Sequence, residues 1–176
     1  MVNETCKVLE HVDIGAGYRY LVLEAPQIVA AAQPGQFVHV KVPTLEMSAL
    51  RRPFSIFNAE EGKLELLYKT VGRGTAALNA AKVGETLEVM GPLGHGFPMT
   101  CSGTPLLVGG GFGVAPLYFL ARMLLKNGAA TPNPPPTNSG APEQVVGKPW
   151  PSGPITSSVS PTFAALSAAV PRPTVL

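Results

Sequence analysis

The chain has 176 residues, of which 45% are hydrophobic, so it holds enough apolar side chains for the core of one domain or of two small ones. Its net charge of +2 creates no long-range field that would attract DNA, RNA or an acidic membrane, so any anion site must be local. The first residues lack the charged start and apolar run of a signal peptide, and no stretch is long enough to span a bilayer, which predicts a cytoplasmic protein.

Residues 1–100 show the pattern of many short strands separated by turns. In residues 37–42 valines alternate with His39 and Lys41, and residues 64–71 also repeat apolar side chains at a period of two. Further strands are predicted at residues 6–12, 18–24, 54–58 and 85–90. Six short strands, with a single helix between the last two, predict a closed antiparallel barrel without exposed sheet edges.

The residues around Arg52 are suited to holding a diphosphate and a flavin ring. Arg52 can donate two parallel charge-assisted hydrogen bonds to a diphosphate, a geometry that lysine cannot match. Pro53 stiffens the chain beside it. Ser55 follows two residues later on an extended chain, where its hydroxyl is a small donor and acceptor suited to a flavin ring nitrogen.

A glycine-rich turn precedes the helix predicted at residues 76–81. Gly72 and Gly74 let the backbone approach a ligand closely, and Thr75 is predicted to be the N-cap. A helix start favours phosphate because of its free amides and its dipole. Taken singly, Arg-Arg-Pro is also typical of a solvated strand edge, and Gly-x-Gly-Thr of an ordinary turn. Together and in this order, they predict a site for a flavin dinucleotide.

The histidines and cysteines are interpreted as chemically inert. His39 lies on the polar face of its predicted strand, so it is expected to be a solvated surface residue, and His11 and His95 are interpreted in the same way. Cys6 and Cys101 are too few and too far apart in the sequence for a metal motif, and both are predicted to be plain thiols.

After Thr104 the pattern becomes that of an alpha/beta unit. Residues 105–108 are apolar, glycines follow, and an apolar helical segment covers residues 115–126, with Pro116 in the first turn where its missing amide costs nothing. This predicts the first strand, turn and helix of a nucleotide-binding domain over residues 101–128. The glycine spacing differs from the standard dinucleotide fingerprint, and a tight turn that packs strand against helix is the alternative.

Residues 129–176 contain eleven of the nineteen prolines, so no parallel strand continues the alpha/beta domain there. This Pro/Ser/Thr/Ala-rich tail is predicted to be mostly disordered. It is either a natural proline-rich linker or the product of a shifted reading frame after about codon 129; the second is our hypothesis, which nucleotide sequencing would decide. The helix face formed by Leu117, Leu120 and Leu124, left without its sheet, is expected to be exposed.

The order of these motifs resembles the ferredoxin reductase superfamily. The matching segments lie at residues 33–37, 51–56, 67–69, 72–75, 91–97 and 108–116. Within that superfamily, Arg-Pro-Phe-Ser-Ile together with Gly-Pro-Leu-Gly-x-Gly-Phe most resembles the electron transfer subunit of dihydroorotate dehydrogenase B. The resemblance covers about the first 128 residues.

The resemblance implies a flavin-binding barrel domain over residues 1–100, with FAD as its cofactor and NAD(H) as its hydride partner. The implied FAD contacts are Arg52, Pro53, Phe54, Ser55, Leu67, Tyr68, Lys69, Gly74 and Thr75. The implied NAD contacts are Gly109, Gly110, Gly111, Gly113 and Pro116. No catalytic acid or base is expected, because the flavin carries the chemistry.

The resemblance also implies a function and partners. It implies electron transfer between a nicotinamide cofactor and the FMN-containing catalytic subunit of a dihydroorotate dehydrogenase, in a heterotetramer that serves pyrimidine biosynthesis. A different ferredoxin- or sulfur-linked NAD(P)H reductase, or a flavin-binding fragment without turnover, is the alternative. The family's 2Fe-2S cluster needs four cysteines, and since the sequence has none after Cys101 we expect no such cluster here.

Overall fold

The computed structural model describes residues 1–42, 51–99 and 107–127, in which six strands close into a barrel. Each pair of neighbouring strands is antiparallel, and the order around the barrel is β1, β2, β5, β4, β3 and β6, with β6 pairing with β1. The six-stranded antiparallel barrel predicted from the sequence is therefore confirmed. The strands are β1 (Val2–Gly15), β2 (Tyr18–Glu24), β3 (Phe37–Val40), β4 (Arg52–Glu60), β5 (Lys63–Lys69) and β6 (Thr86–Leu93).

A tight hairpin joins β4 to β5. Glu61 and Gly62 between these strands both have positive φ angles, of 51° and 75°. A two-residue turn of type I′ requires this conformation at both central positions, and its twist matches that of the flanking strands. Pairing between β4 and β5 accordingly begins at the residues next to the turn, Glu60 and Lys63.

Alternating side chains fill the interior of the barrel. Leu64, Leu66 and Tyr68 of β5 belong to the buried core, together with Leu21 and Leu23 of β2. Full burial of a leucine stabilises a fold by about 1.5–3 kcal/mol, so this interior supplies the main driving force for barrel formation. The period of two that predicted the strands is the period that separates the inner face from the outer face.

The described residues also form three helices: α1 (Pro26–Ala31), α2 (Arg73–Leu78) and α3 (Ala115–Lys126), the last preceded by a 3-10 turn at Gly111–Val114. Helix α1 was not predicted. Its first turn is capped by the buried Glu4 carboxylate of β1, which accepts hydrogen bonds from the amides of Gln27 (3.2 Å) and Ile28 (3.0 Å). Apart from Pro26 in the first turn, the local sequence gives no sign of this helix start, because the cap comes from a distant strand.

Helix α3 packs against the outer face of the barrel. Its Tyr118 ring stacks on Phe57 of β4, with the ring centroids 4.2 Å apart and the planes 7° from parallel. Glu60, also on β4, forms ion pairs with Arg122 and Lys126. The prediction of an exposed apolar face was wrong, because α3 lies against β4: Leu120 and Leu124 are each only 8% exposed, and Leu117 is half-buried.

Of the remaining sequence predictions, one is confirmed and the others fall partly or wholly outside the described residues. The helix predicted at residues 115–126 is confirmed as α3. Of the strand predicted at residues 105–108, only Leu107 and Val108 are described, and they lie in neither helix nor strand. The tail at residues 129–176 lies outside the described residues, so its predicted disorder and the domain boundaries remain predictions. No helix within the described ranges is both long and apolar enough to cross a membrane.

Candidate functional site

The structure brings Arg52 of β4 and Gly74 of α2 into direct contact. A Cβ atom placed on Gly74 would lie 2.5 Å from Nε of Arg52 and 3.2 Å from its Cγ and Cδ, closer than atoms can approach without moving. The half-buried arginine side chain therefore crosses the turn at the point where only glycine leaves room. These two residues come from separate motifs and form one basic, tightly packed corner.

Thr75 shapes this turn in a different way from the one predicted. The N-cap of α2 is Gly72, in an extended conformation, and Thr75 is the third helical residue. Its hydroxyl oxygen accepts hydrogen bonds from the amides of Val71 (2.9 Å) and Gly72 (3.2 Å) and donates to the Gly72 carbonyl (3.1 Å). The prediction that Thr75 is the N-cap was therefore wrong, because the helix starts three residues earlier than the alanine-rich pattern indicated.

The two neighbouring arginines have different surroundings. Arg51 donates to the Glu88 carboxylate (3.2 Å) and to the Glu88 carbonyl (3.3 Å) on β6. Lys41 also binds this carboxylate, at 2.8 Å, and its hydrogen bond is the main reason why the pKa of Glu88 is lowered, with Arg51 adding to the effect. Arg51 is thus part of a surface ion-pair cluster, whereas Arg52 reaches the glycine turn.

Strand alternation places the predicted residues of β4 on two different faces. Arg52 and Phe54 pair with Val40 and Val38, which point into the barrel, and Phe54 is buried there. Directly opposed residues in an antiparallel pair share a face. Pro53 and the half-buried Ser55 pair with His39 and Phe37 and therefore lie on the outer face.

Tyr68 is buried inside the barrel rather than presented on its surface. Its side chain is 3% exposed, and its ring packs edge-on against Phe54 with the centroids 5.3 Å apart. Its hydroxyl donates to Asn79 Oδ1 (2.9 Å) and also contacts His11 Nε2 (2.8 Å). Burial raises the pKa of the Tyr68 hydroxyl, so this group stays protonated.

Leu67 and Lys69 of β5 face the segment that leads to α3. Leu67 is buried in an outer cluster that includes Ala115 of α3. Lys69 Nζ lies over the Tyr18 ring, 5.2 Å from its centroid, as in a cation–π contact. A Cβ atom on Gly111 would lie 3.7 Å from the Tyr18 hydroxyl, so the glycine segment reaches the same end of the barrel.

The glycines before α3 have unequal roles. A Cβ atom on Gly109 would lie 2.7 Å from the Leu117 side chain, so this glycine allows close packing, as in the alternative reading of the segment. At Gly110 and Gly113 no atom of the described residues lies within 4 Å of such a Cβ. Pro116 occupies the first turn of α3, as predicted.

Sequence reasoning missed His11 and Asn79. The interpretation of His11 as a solvated residue was wrong: it is half-buried, and besides Tyr68 it bonds the Ala81 carbonyl through Nδ1 (2.8 Å). Asn79, directly after α2, is also bonded to Thr70 through Nδ2 (3.1 Å). No sequence signal marks these contacts, because they join β1, β5 and the end of α2.

Comparison with known proteins assigns the barrel to a family. Residues 5–97, more than half of the chain, match the Oxidoreductase FAD-binding domain. The chain belongs to this family. The match begins in β1 and ends just after β6, so it covers the barrel except for the first residues of β1, together with α1 and α2.

Relatives of this FAD-binding domain carry the same name in two organisms. The chain is 42% identical over 133 residues to the electron transfer subunit of dihydroorotate dehydrogenase B (NAD(+)) of Bacillus cereus strain Q1, covering 73% of the chain and 51% of that protein. For the subunit of the same name in Shouchella clausii, identity is 42% over 127 residues, with coverages of 69% and 49%. The chain therefore spans about half the length of these curated relatives.

Solved structures also resemble this FAD-binding domain. The NADH-dependent reduced ferredoxin-NADP oxidoreductase is 33% identical, with a TM-score of 0.64 over 71% of the chain and 45% of that protein. A ferredoxin reductase of carbazole 1,9a-dioxygenase is 24% identical, with a TM-score of 0.61 over 72% of the chain and 40% of that protein, and supports the fold alone.

The residues present fit a dinucleotide cofactor at the corner formed by Arg52 and Gly74. An arginine fork suits the paired oxygens of a diphosphate. The absence of a side chain at Gly74 lets the stem and Nε of Arg52 lie directly against the turn. A phosphate group at this corner would lie beside the positive charge of Arg52 and close to the main chain at Gly74.

Proposed function

We propose that the chain is an FAD-binding electron transfer subunit that moves electrons between a nicotinamide cofactor and the FMN-containing catalytic subunit of a dihydroorotate dehydrogenase, in pyrimidine biosynthesis. The 42% identity to subunits of that name supports the proposal. The heterotetramer, the NAD(H) partner and a cytoplasmic location belong to the same proposal. These three parts of the proposal rest on similarity to relatives of which the chain spans only about half.

The observation that carries the proposal is the contact between Arg52 and Gly74 within a barrel of this family. We assign Arg52 to the diphosphate and Gly74 to the close approach of the main chain. The proposed FAD residues are Arg52, Pro53, Phe54, Ser55, Leu67, Tyr68, Lys69, Gly74 and Thr75. The proposed NAD residues are Gly109, Gly110, Gly111, Gly113 and Pro116.

When bound, FAD would supply the exchange between two-electron and one-electron transfer. The chain's own residues then bind and orient it. Arg52 balances the phosphate charge, and Ser55 offers a hydroxyl on the outer face of β4. The proposed function contains no protein acid or base.

An iron–sulfur cluster has no part in this proposal. Four thiolates hold such a cluster, while the sequence contains two cysteines, and Cys6 is fully buried inside the barrel core. Within the described ranges, no group of three His, Cys, Asp or Glu side chains could hold a metal ion. We therefore derive no electron transfer step through a cluster.

Experiment can distinguish two alternatives from this function. The 33% identity to the ferredoxin-NADP oxidoreductase favours a reductase with another electron acceptor. A flavin-binding fragment without turnover is the other. Incubation with FAD, desalting and anaerobic addition of NADH separate the classes by absorbance. Retained flavin that bleaches supports an electron transfer function, retained flavin that does not bleach indicates a binding fragment, and loss of flavin contradicts the proposal.

Neighbouring arginines provide a matched test of the site. Replacing Arg52 with alanine removes the charge beside Gly74, and we expect FAD affinity to fall at least about tenfold, the effect of losing a charge-assisted hydrogen bond. Arg51→Ala is the control, because it removes the same side chain from the Glu88 cluster. Fluorescence titration measures both affinities. Equal affinities for the two variants would contradict the assignment of Arg52.

A further inference from the structure

A chain of hydrogen bonds ties the glycine turn to the barrel. His11 of β1 contacts the Tyr68 hydroxyl of β5 through Nε2 at 2.8 Å, and Tyr68 contacts Asn79, which directly follows α2, at 2.9 Å. His11 also bonds the Ala81 carbonyl through Nδ1 at 2.8 Å. Three separate elements of the fold thus meet at the buried Tyr68 hydroxyl.

Asn79 extends this chain to the start of the glycine turn. Its Nδ2 donates to Thr70 Oγ1 at 3.1 Å, and Thr70 lies just before Val71, where the turn begins. The two ends of the segment that contains the turn and α2 are therefore bonded to each other, and Tyr68 of β5 holds the Asn79 end. Helix α2 has only six residues, about 9 Å of length, so fixing its end also fixes the turn beside Arg52.

Counting donors and acceptors shows that this chain can be fully satisfied. The Ala81 carbonyl only accepts, so Nδ1 of His11 carries a proton. The single proton of Tyr68 goes either to Asn79 Oδ1 or to His11 Nε2. In the first arrangement Nε2 donates to Tyr68, and the imidazole carries both protons.

The second arrangement differs only in the direction of the hydrogen bonds. If Tyr68 donates to Nε2, a rotated Asn79 amide donates to the Tyr68 oxygen and accepts from the Thr70 hydroxyl. No link is lost in either arrangement. The connection between barrel and turn therefore holds whether His11 is neutral or charged.

We propose that His11, Tyr68 and Asn79 form a relay that positions the turn Gly72–Thr75 against Arg52 for the diphosphate of FAD. The inference deepens the proposed function and rests on it. His11 is a positioning residue in this arrangement, and the side chain of Tyr68 acts on FAD binding through α2. Its burial and its two hydroxyl partners support this indirect role.

Two flavins test the relay, because riboflavin lacks the diphosphate that the turn would bind. Tyr68→Phe keeps the ring packed on Phe54 and removes the hydroxyl. We expect FAD affinity to fall about fivefold, the effect of one lost hydrogen bond, while riboflavin affinity stays the same. Tyr20→Phe is the matched control, since its hydroxyl bonds Glu65, away from α2. His11→Gln is the second relay variant, and thermal unfolding of each variant without flavin measures any general loss of stability.

The outcomes separate the relay from the function on which it rests. If the wild-type chain binds no FAD, the proposed function fails. If the wild type binds FAD and the relay variants match Tyr20→Phe, or lose FAD and riboflavin equally, the relay is wrong. Nitrogen NMR of the wild type gives a second test that needs no variant: we expect neutral His11 to carry its proton on Nδ1, and a proton on Nε2 alone would overturn the relay.

Discussion

Gly72 and Gly74 lie two positions apart in one turn but have very different surroundings. A Cβ atom on Gly74 would press against Arg52, whereas none of the described atoms lies within 4 Å of one on Gly72. Gly72 is also extended, with φ at −175°, a conformation that any residue adopts. Only Gly74 is therefore required by the packing of the site.

Replacing each of these glycines with alanine tests this difference. We expect Gly74→Ala to push the Arg52 side chain out of place and to weaken FAD binding about tenfold, comparable to losing the arginine's charge-assisted contact. Gly72→Ala should change affinity little, since Gly72 is extended and a Cβ atom there meets none of the described atoms within 4 Å. Fluorescence titration measures both. Similar losses in the two variants would show that the contact with Arg52 is unimportant.

The buried Cys6 thiol should make the folded chain less stable at alkaline pH. Its burial, with a smaller contribution from Glu4, raises the pKa of the thiol from 9.0 to about 12. Between these values the folded chain keeps a proton that the unfolded chain releases, so the free energy of unfolding falls as the pH rises. We expect the loss between pH 8 and pH 10 to be about 1 kcal/mol smaller in Cys6→Ala, in which the raised pKa values of Tyr20 and Tyr68 still contribute. Urea unfolding at both pH values measures it, and equal losses in both proteins would contradict the burial effect.

At the scale of the element, α3 packs against the barrel through buried apolar side chains, one aromatic stack and one acidic side chain. Tyr118 stacks on Phe57, and Glu60 pairs with Arg122 and Lys126. The hydrogen bond from Lys126 is the main cause of the lowered pKa of Glu60, with the Arg122 charge adding to it. Since these ion pairs are partly exposed, the stack should dominate.

Removing the Tyr118 ring should loosen α3 without unfolding the barrel. In Tyr118→Ala we expect amides of α3 to exchange faster with deuterium, by an amount equivalent to about 1 kcal/mol, whereas amides of β2 and β5 keep their protection. Tyr118→Phe retains the ring and serves as the control. Unchanged exchange of α3 in Tyr118→Ala would mean that the stack adds little to the buried apolar side chains and the ion pairs.

At the scale of the whole molecule, every residue proposed for FAD lies in the barrel or in α2. The family match covers residues 5–97, and α3 ends at Lys126. A chain ending at Asn127 should therefore retain FAD with the affinity of the full sequence, because it keeps the Arg52 corner and the helix that covers the outer face. Absorbance after desalting checks this, and loss of flavin would show that residues 128–176 contribute to the site.

The sequence by itself determined the elements that depend on local periodicity. Valines at a period of two predicted β3, and apolar residues at helical spacing predicted α3 over the residues it occupies. Composition and turn residues were sufficient for a closed barrel. The sequence motifs also identified Arg52 and Gly74 as candidate site residues, although neither motif indicated that the two residues are in contact.

The tertiary structure decided everything that joins distant segments. Glu4 caps α1, Leu120 and Leu124 are buried, and His11 reaches Tyr68. The physical reason is that periodicity reports which face of an element is apolar, whereas a cap, a covered face or a hydrogen-bond partner depends on what the fold brings beside it. The residues of this candidate site meet only after the barrel has closed.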